Sequence, residues 1–274
     1  MVPSASIAVM IGGIVFIVVL VIGLLLYHKF KFHTKATTFL IGAATFLLFA
    51  LVLEQIMHYI VLFKTPAGDK IQNNIWLYAL YGGLAAGIFE ETGRLVAMKF
   101  LLKKEHEKPH TALMYGTGHG GFEALAVGVL SLVSNMIYAL MINAGQEQML
   151  LGQVPAEQKE TLQTALTQLK TYSPALFAAI PAERLSAVTL HIALSVLVWT
   201  AVVKKKPAFF FLAILIHFLL DAMTVLLKDR VSIPVLELII FAVSVIAAIF
   251  ACTVWKKHLK AAPAEIPVPE SSAS

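Results

Sequence analysis

Seven stretches of the chain, at about 5–27, 37–63, 75–102, 110–143, 175–202, 208–228 and 233–255, are apolar almost throughout. At ~1.5 Å of rise per residue, a helix of this length crosses a hydrocarbon core of ~30 Å. The runs do not alternate between polar and apolar, so they do not read as barrel strands, and inside a bilayer only helices remain. That feature fixes the fold class: an all-α polytopic membrane helix bundle of about seven transmembrane helices. Of 274 residues 59% are hydrophobic and 14% charged, against a usual charged share of about 25%, which excludes a soluble domain hung on one anchor. Pro66, Pro109, Pro174, Pro207 and Pro234 fall at or near the run boundaries, where proline is tolerated. Cys252, alone in the sequence, allows neither an internal disulfide nor a thiolate zinc site. No basic residue precedes the first run, so it reads as a retained span rather than a cleaved signal.

The basic residues orient such a bundle. Connections 28–36, 103–109 and 203–207 and the segment after 255 carry twelve lysines, among them Lys103, Lys204 and Lys256, while the alternate connections carry six basic residues. The excess predicts a cytoplasmic C-terminus and an outside N-terminus in a multi-pass cell-membrane protein. The net charge of +5 is therefore a topology signal, not a nucleic-acid footprint. Residues 1–255 form a single transmembrane domain, and the Pro- and Ser-rich segment 256–274 reads as a disordered cytoplasmic tail. The connection 144–173 contains AEQKETLQTALTQLKTY, an amphipathic helix with Leu162, Leu166 and Leu169 on one side. It reads as an outer element lying on the membrane surface, or alternatively as a lid.

Ionisable residues within the runs are the next constraint, because a charge at mid-bilayer costs at least ~2.5–3.5 kcal/mol even on the lenient insertion scale. The third run holds Glu90, Glu91 and Arg94; the fourth His119 and Glu123; the fifth Glu183, Arg184, His191 and Ser195; the sixth His217 and Asp221. The pairs His119/Glu123, His191/Ser195 and His217/Asp221 are spaced i,i+4, which puts each pair on one helix face. Counting to the nearest basic end, Glu90 is about 13 residues from Lys103 and His119 about 11 from Lys108. His191 is about 13 from Lys204, and His217 about 11 from Lys206. These are depths of roughly 16–20 Å, so four helices put ionisable groups in one layer near the midplane.

Three imidazoles and several carboxylates without a thiolate suit a divalent ion, zinc above others, and His119, Glu123, His191 and His217 are the expected ligands. Glu90 and Glu91 suit general acid–base work on water, since like charges side by side push their pKa values apart. Arg94 can hold one of them ionised, and Asp221 can accept the second N–H of an imidazole and fix its tautomer. Gly116, Gly118, Gly120 and Gly121 leave backbone uncovered for a neighbouring helix or an extended substrate. Glu183 and Arg184 read as structural, Glu54 and His58 as an interfacial hydrogen bond, and His28, His33, His106, His110 and His258 as solvated residues at the cytoplasmic edge. The same residue set is open to other chemistry. Midplane carboxylates and histidines also build proton-coupled transporters, paired histidines bind haem, and a seven-span metal-dependent lipid amidase would need nearly the same side chains.

The segments EETGR, GHGGFE, ERLSAVTLHIALS and HFLLD together resemble the YhfC family of intramembrane metalloproteases. That family is similar to PrsW-type proteases and to the CAAX-protease and bacteriocin-processing group. The resemblance covers about residues 75–228 and rests on motif order. It departs from the CAAX endopeptidases in having EExxR where they have EExxxR. It implies an intramembrane endopeptidase that hydrolyses a membrane-associated peptide or protein substrate within the lipid bilayer. It implies Glu90, Glu91, Arg94 and Asp221 as catalytic residues and His119, Glu123, His191 and His217 at the metal. It is equally compatible with water activated by glutamate and histidine alone.

Overall fold

The computed structural model describes residues 1–259. Residues 260–274, most of the expected tail, lie outside the described residues. The described chain is helical with no strand. Seven long helices form the bundle: α1 (Ser4–Lys31), α2 (Ala36–Lys64), α3 (Ile75–Val96), α4 (Thr111–Asn143), α6 (Pro174–Val203), α7 (Ala208–Leu227) and α8 (Ile233–Leu259). The amphipathic helix α5 (Ala156–Thr171) lies between α4 and α6 in the chain.

All but α3 among the seven are long and apolar enough to cross a membrane by length and composition. Helix α3 continues through a π turn, Ala97–Leu101, and is as long, but Glu90, Glu91, Arg94 and Lys99 lower its apolarity. Its ionisable face is turned inward: Glu90, Glu91 and Arg94 are buried while Leu80, Leu84 and Ile88 are exposed. The helix thus meets the expectation of about seven spans while carrying its polar groups against protein.

Local sequence explains where helices begin. The Asn74 side chain caps α3 by accepting from the N–H groups of Trp76 (3.0 Å) and Leu77 (3.2 Å). Pro174 and Pro234 sit in the first turns of α6 and α8, where no N–H is needed. Pro181 is the exception, standing inside α6.

Helix α6 is the axis of the bundle. In its apolar window 78% of residues are buried, against 22–33% in α1, α2, α4, α7 and α8, so it is sheathed by helices rather than by lipid. It packs against α1, α4, α7 and α8, while α3 pairs with α7 and α2 with α4. Without a hydrophobic drive between helices in lipid, such pairs depend on close van der Waals fit and small residues. At the α2–α4 crossing a Cβ on Gly118 would overlap the Phe39 carbonyl, and one on Gly42 would overlap the Tyr115 carbonyl. The two backbones therefore touch beside His119.

The α5 helix covers the end of the bundle away from the lysine-rich connections. Leu166 and Leu169 are buried in a cluster with Val2, Ile142, Leu150 and Phe177. Its apolar face meets the ends of α1, α4 and α6. The apolar residues find protein because the N-terminal segment and α4 project to the same level.

Candidate active site

The carboxylates of α3 divide into two roles. Arg94 Nη1 donates to both oxygens of Glu91, at 2.8 and 2.9 Å, in a pair with no solvent exposure. The i,i+3 spacing on one helix turn permits this bidentate grip. His217 Nδ1 on α7 lies 2.9 Å from Glu91 Oε1. With both oxygens engaged by Arg94, Glu91 accepts the Nδ1–H of His217 and orients the ring so that Nε2 points towards the cavity. That Nε2 faces Glu90 Oε1 at 4.0 Å and Asp221 Oδ2 at 3.5 Å.

Glu90 has no arginine partner. Its Oε2 hydrogen-bonds His119 Nε2 of α4 at 2.9 Å and lies 4.0 Å from His191 Nδ1 of α6. The second nitrogen of His119, Nδ1, is buried without a partner. The three imidazoles form a row, with ring centroids 5.0 Å apart for His119–His191 and 5.4 Å for His191–His217.

On the other side of His191, Nε2 lies 2.5 Å from Glu123 Oε2, while Arg94 Nη2 donates to its Nδ1 at 3.0 Å. A guanidinium cannot accept, so Nδ1 is the acceptor and the ring proton of neutral His191 points at Glu123. Glu123 Oε1 in turn takes a hydrogen bond from Arg184 at 2.7 Å, and Arg184 also pairs with Glu183. Each arginine thus neutralises a carboxylate: Arg94 serves Glu91, and Arg184 serves Glu123 and Glu183.

These groups open on a cavity of about 150 Å³ lined by Glu90, Glu123, His191, His217 and Asp221, with Glu183 and Arg184 at its side. A buried water needs at least ~10–15 Å³, so several fit. Asp221 stands at the exposed side, with 38% of its side chain accessible.

Glu90, His119 and His191 each offer a ligand atom, and these atoms lie within 4.8 Å of one another, all buried. A tetrahedral ion with ligands at ~2.1 Å separates its donors by roughly 3.4 Å, and to join such a set His191 would release either its Arg94 contact at Nδ1 or its Glu123 contact at Nε2.

The fold brings all eight expected residues into one network, with changed positions. Glu90, expected as an acid–base group, sits in the donor set. Glu123, expected as a ligand, has one oxygen on Arg184 and the other against His191. His217 stands outside the donor set. Glu91 rather than Asp221 fixes the His217 tautomer, because Nδ1 points back at α3.

Sequence reasoning missed Glu183 and Arg184 as cavity groups. The available signal was spacing, since Arg184 precedes His191 by seven residues, two turns on one face. His28 is buried rather than solvated, with Nδ1 3.1 Å from Thr117 Oγ1, because α1 tucks its end against α4. Ser195 donates to the His191 carbonyl at 2.7 Å and stays out of the cavity. Glu54 and His58 pair at 3.2 Å on α2, as expected, and His58 also meets Tyr81 of α3 at 2.8 Å.

Residues 14–245 match the family model described as YhfC intramembrane metalloprotease. The chain is 35% identical over 241 residues to the uncharacterized membrane protein YhfC of Bacillus subtilis (strain 168), covering 85% of this chain and 91% of the relative. No solved structure matches it. A match over most of the sequence, together with a buried Glu/His/His group inside an apolar bundle, leads to one assignment: this membrane protein belongs to the YhfC intramembrane metalloprotease family.

Proposed function

We propose that the protein is an intramembrane endopeptidase that hydrolyses peptide bonds of a membrane-associated substrate. One observation carries this reading. Glu90 is a carboxylate without an arginine partner, bonded to His119 and opening on a cavity of about 150 Å³ beside His191 and His217, inside a bundle of apolar helices. The family name supports it.

In this reading Glu90 takes a proton from a cavity water as its oxygen bonds to the substrate carbonyl carbon. The carbonyl π bond opens, and the developing oxyanion is stabilised by the imidazoles. The C–N bond then breaks, and Glu90 returns the proton to the leaving amine. Glu91 keeps His217 oriented, Arg94 keeps Glu91 ionised, and Asp221 faces His217 from the open side. Glu90, His119 and His191 would hold the divalent ion that the family name implies. Zinc is the ion whose preference for nitrogen and oxygen donors suits them best. When bound, such an ion supplies Lewis acidity and lowers the pKa of water.

The lysine distribution supports an outside N-terminus and a cytoplasmic C-terminus. Reporter fusions at each end of the full chain test that orientation.

The decisive experiment is cleavage of membrane-inserted peptides by purified protein in nanodiscs. Loss of a general base removes typically 10²–10⁴-fold of rate, so Glu90→Gln is expected to fall at least ~100-fold with the fold intact. Full cleavage by Glu90→Gln, or no hydrolysis of any peptide by the wild type, sinks the reading.

A further inference from the structure

A second cavity lies beside the candidate active site, away from the lysine-rich end. Its volume is about 470 Å³, and its walls are Tyr172, Phe177, Ile180, Glu183, Leu236 and Glu237, from the start of α6, the start of α8 and the segment before α6. Glu183 also lines the smaller cavity that holds Glu90, His191 and His217, so the two spaces share one wall residue. The larger cavity is about three times the volume of the inner one.

One feature of its wall is chemically incomplete, and it is an acceptor. Glu237 Oε2 is buried with no hydrogen-bond partner, and among the described residues Glu237 forms no ion pair. An unpartnered carboxylate oxygen in an apolar wall is costly, by roughly 1–3 kcal/mol or more for a charged group, and persists where a donor arrives from outside.

A buried carboxylate oxygen without a partner calls for an N–H donor. The surrounding Tyr172, Phe177, Ile180 and Leu236 call for apolar stems. We infer that this cleft receives an extended peptide segment carrying a lysine or arginine side chain. Its cation meets Glu237. The assignment rests on the peptidase reading and names its substrate class: a polypeptide with a basic residue close to the scissile bond. Lys228 lines the cleft too and is exposed. It pairs with no carboxylate among the described residues, so it competes with the peptide cation for Glu237.

The test uses the full chain with Glu90→Gln in nanodiscs, so that binding is read without cleavage. Fluorescent membrane-anchored peptides differ at one position: lysine, norleucine or glutamate. The lysine peptide is expected to bind at least tenfold more tightly than the norleucine peptide. Adding Glu237→Gln cuts that preference to threefold or less, and Lys228→Gln enlarges it. Equal binding of the lysine and norleucine peptides, or a lysine preference untouched by Glu237→Gln, overturns the inference. Thermal unfolding of the Glu237→Gln chain, expected to be unchanged or raised, separates a binding effect from misfolding. A lysine preference in a protein whose wild type cleaves nothing supports the cleft assignment and sinks only the peptidase reading.

Discussion

Two glutamates adjacent in sequence do different work because one arginine reaches only one of them. Glu91 is gripped by Arg94 and His217, and Glu90 faces the cavity with His119. Removing one partner of a buried ion pair costs ~3–5 kcal/mol by stranding the other charge. Glu91→Gln is therefore expected to lower thermal stability by that order, whereas Glu90→Gln lowers it little. The double variant Glu91→Gln/Arg94→Met is expected to recover most of the stability and none of the activity, which unfolding in detergent and peptide cleavage measure separately. A second residue-scale prediction concerns pH. Glu105, on the lysine-rich connection, accepts from Lys35 at 2.5 Å and Lys108 at 3.0 Å, and these hydrogen bonds, Lys35 first, hold its carboxyl below the usual carboxylate range. A depressed folded pKa stabilises above the unfolded value of ~4.3 and is lost as pH falls through the folded value. Both lysines are more than half exposed, so the contribution is a few tenths of a kcal/mol to ~1 kcal/mol. Glu105→Gln is expected to flatten the stability curve below about pH 4.5 and to leave it unchanged below the folded pKa.

At the scale of elements, the connection between α3 and α4 is more than a tether. Glu105 ties it to Lys35 at the start of α2, and His106 Nε2 lies 2.9 Å from the Met98 carbonyl on the π turn that ends α3. These contacts fix the rotation of α3 relative to α4, and so which residues of the two helices face each other. A π turn also follows Glu123 directly, at Ala124–Val129, and another ends at Glu54. Such turns shift helix register and recur at functional sites. The α2–α4 crossing sets how near His119 comes to Glu90. Gly118→Val is expected to force α2 away from α4, lowering stability by several kcal/mol and abolishing activity through loss of the His119–Glu90 contact. Gly12→Ala on α1, where a Cβ meets nothing within 4 Å, serves as a control with stability equal to or slightly above wild type. Thermal unfolding of the two variants side by side checks the pair.

For the whole molecule, the central position of α6 decides how the site is assembled. His191 projects from the axis of the bundle, and α3, α4 and α7 each bring one or two groups to it. The donor set Glu90, His119 and His191 yields a prediction that spacing alone does not. The purified wild type is expected to retain about one equivalent of divalent metal, with His119→Ala and His191→Ala losing it and His217→Ala keeping it. Metal analysis of the four proteins decides the matter, and loss in His217→Ala would move that residue into the donor set.

The sequence by itself determined the class of fold, the spans and the layer of ionisable groups. Length, apolarity and the cost of charge in a bilayer act on the chain locally, so residues such as Glu90 and His191 betray their depth through distance from the nearest lysine. Each i,i+4 pair was legible for the same reason, since helix periodicity is a property of one segment. Only the tertiary structure decided which partner each group takes. Whether Arg94 binds Glu90 or Glu91, and whether Glu91 or Asp221 holds His217, depends on the rotation of α3 and α7 about their axes. That rotation is set by glycine contacts with neighbouring backbones, such as Gly83 and Gly87 of α3 against Phe218 and Ile214 of α7. Such contacts join residues more than a hundred positions apart. The same holds for Arg184, whose placement in the cavity follows from α6 running along the centre of the bundle rather than at its edge.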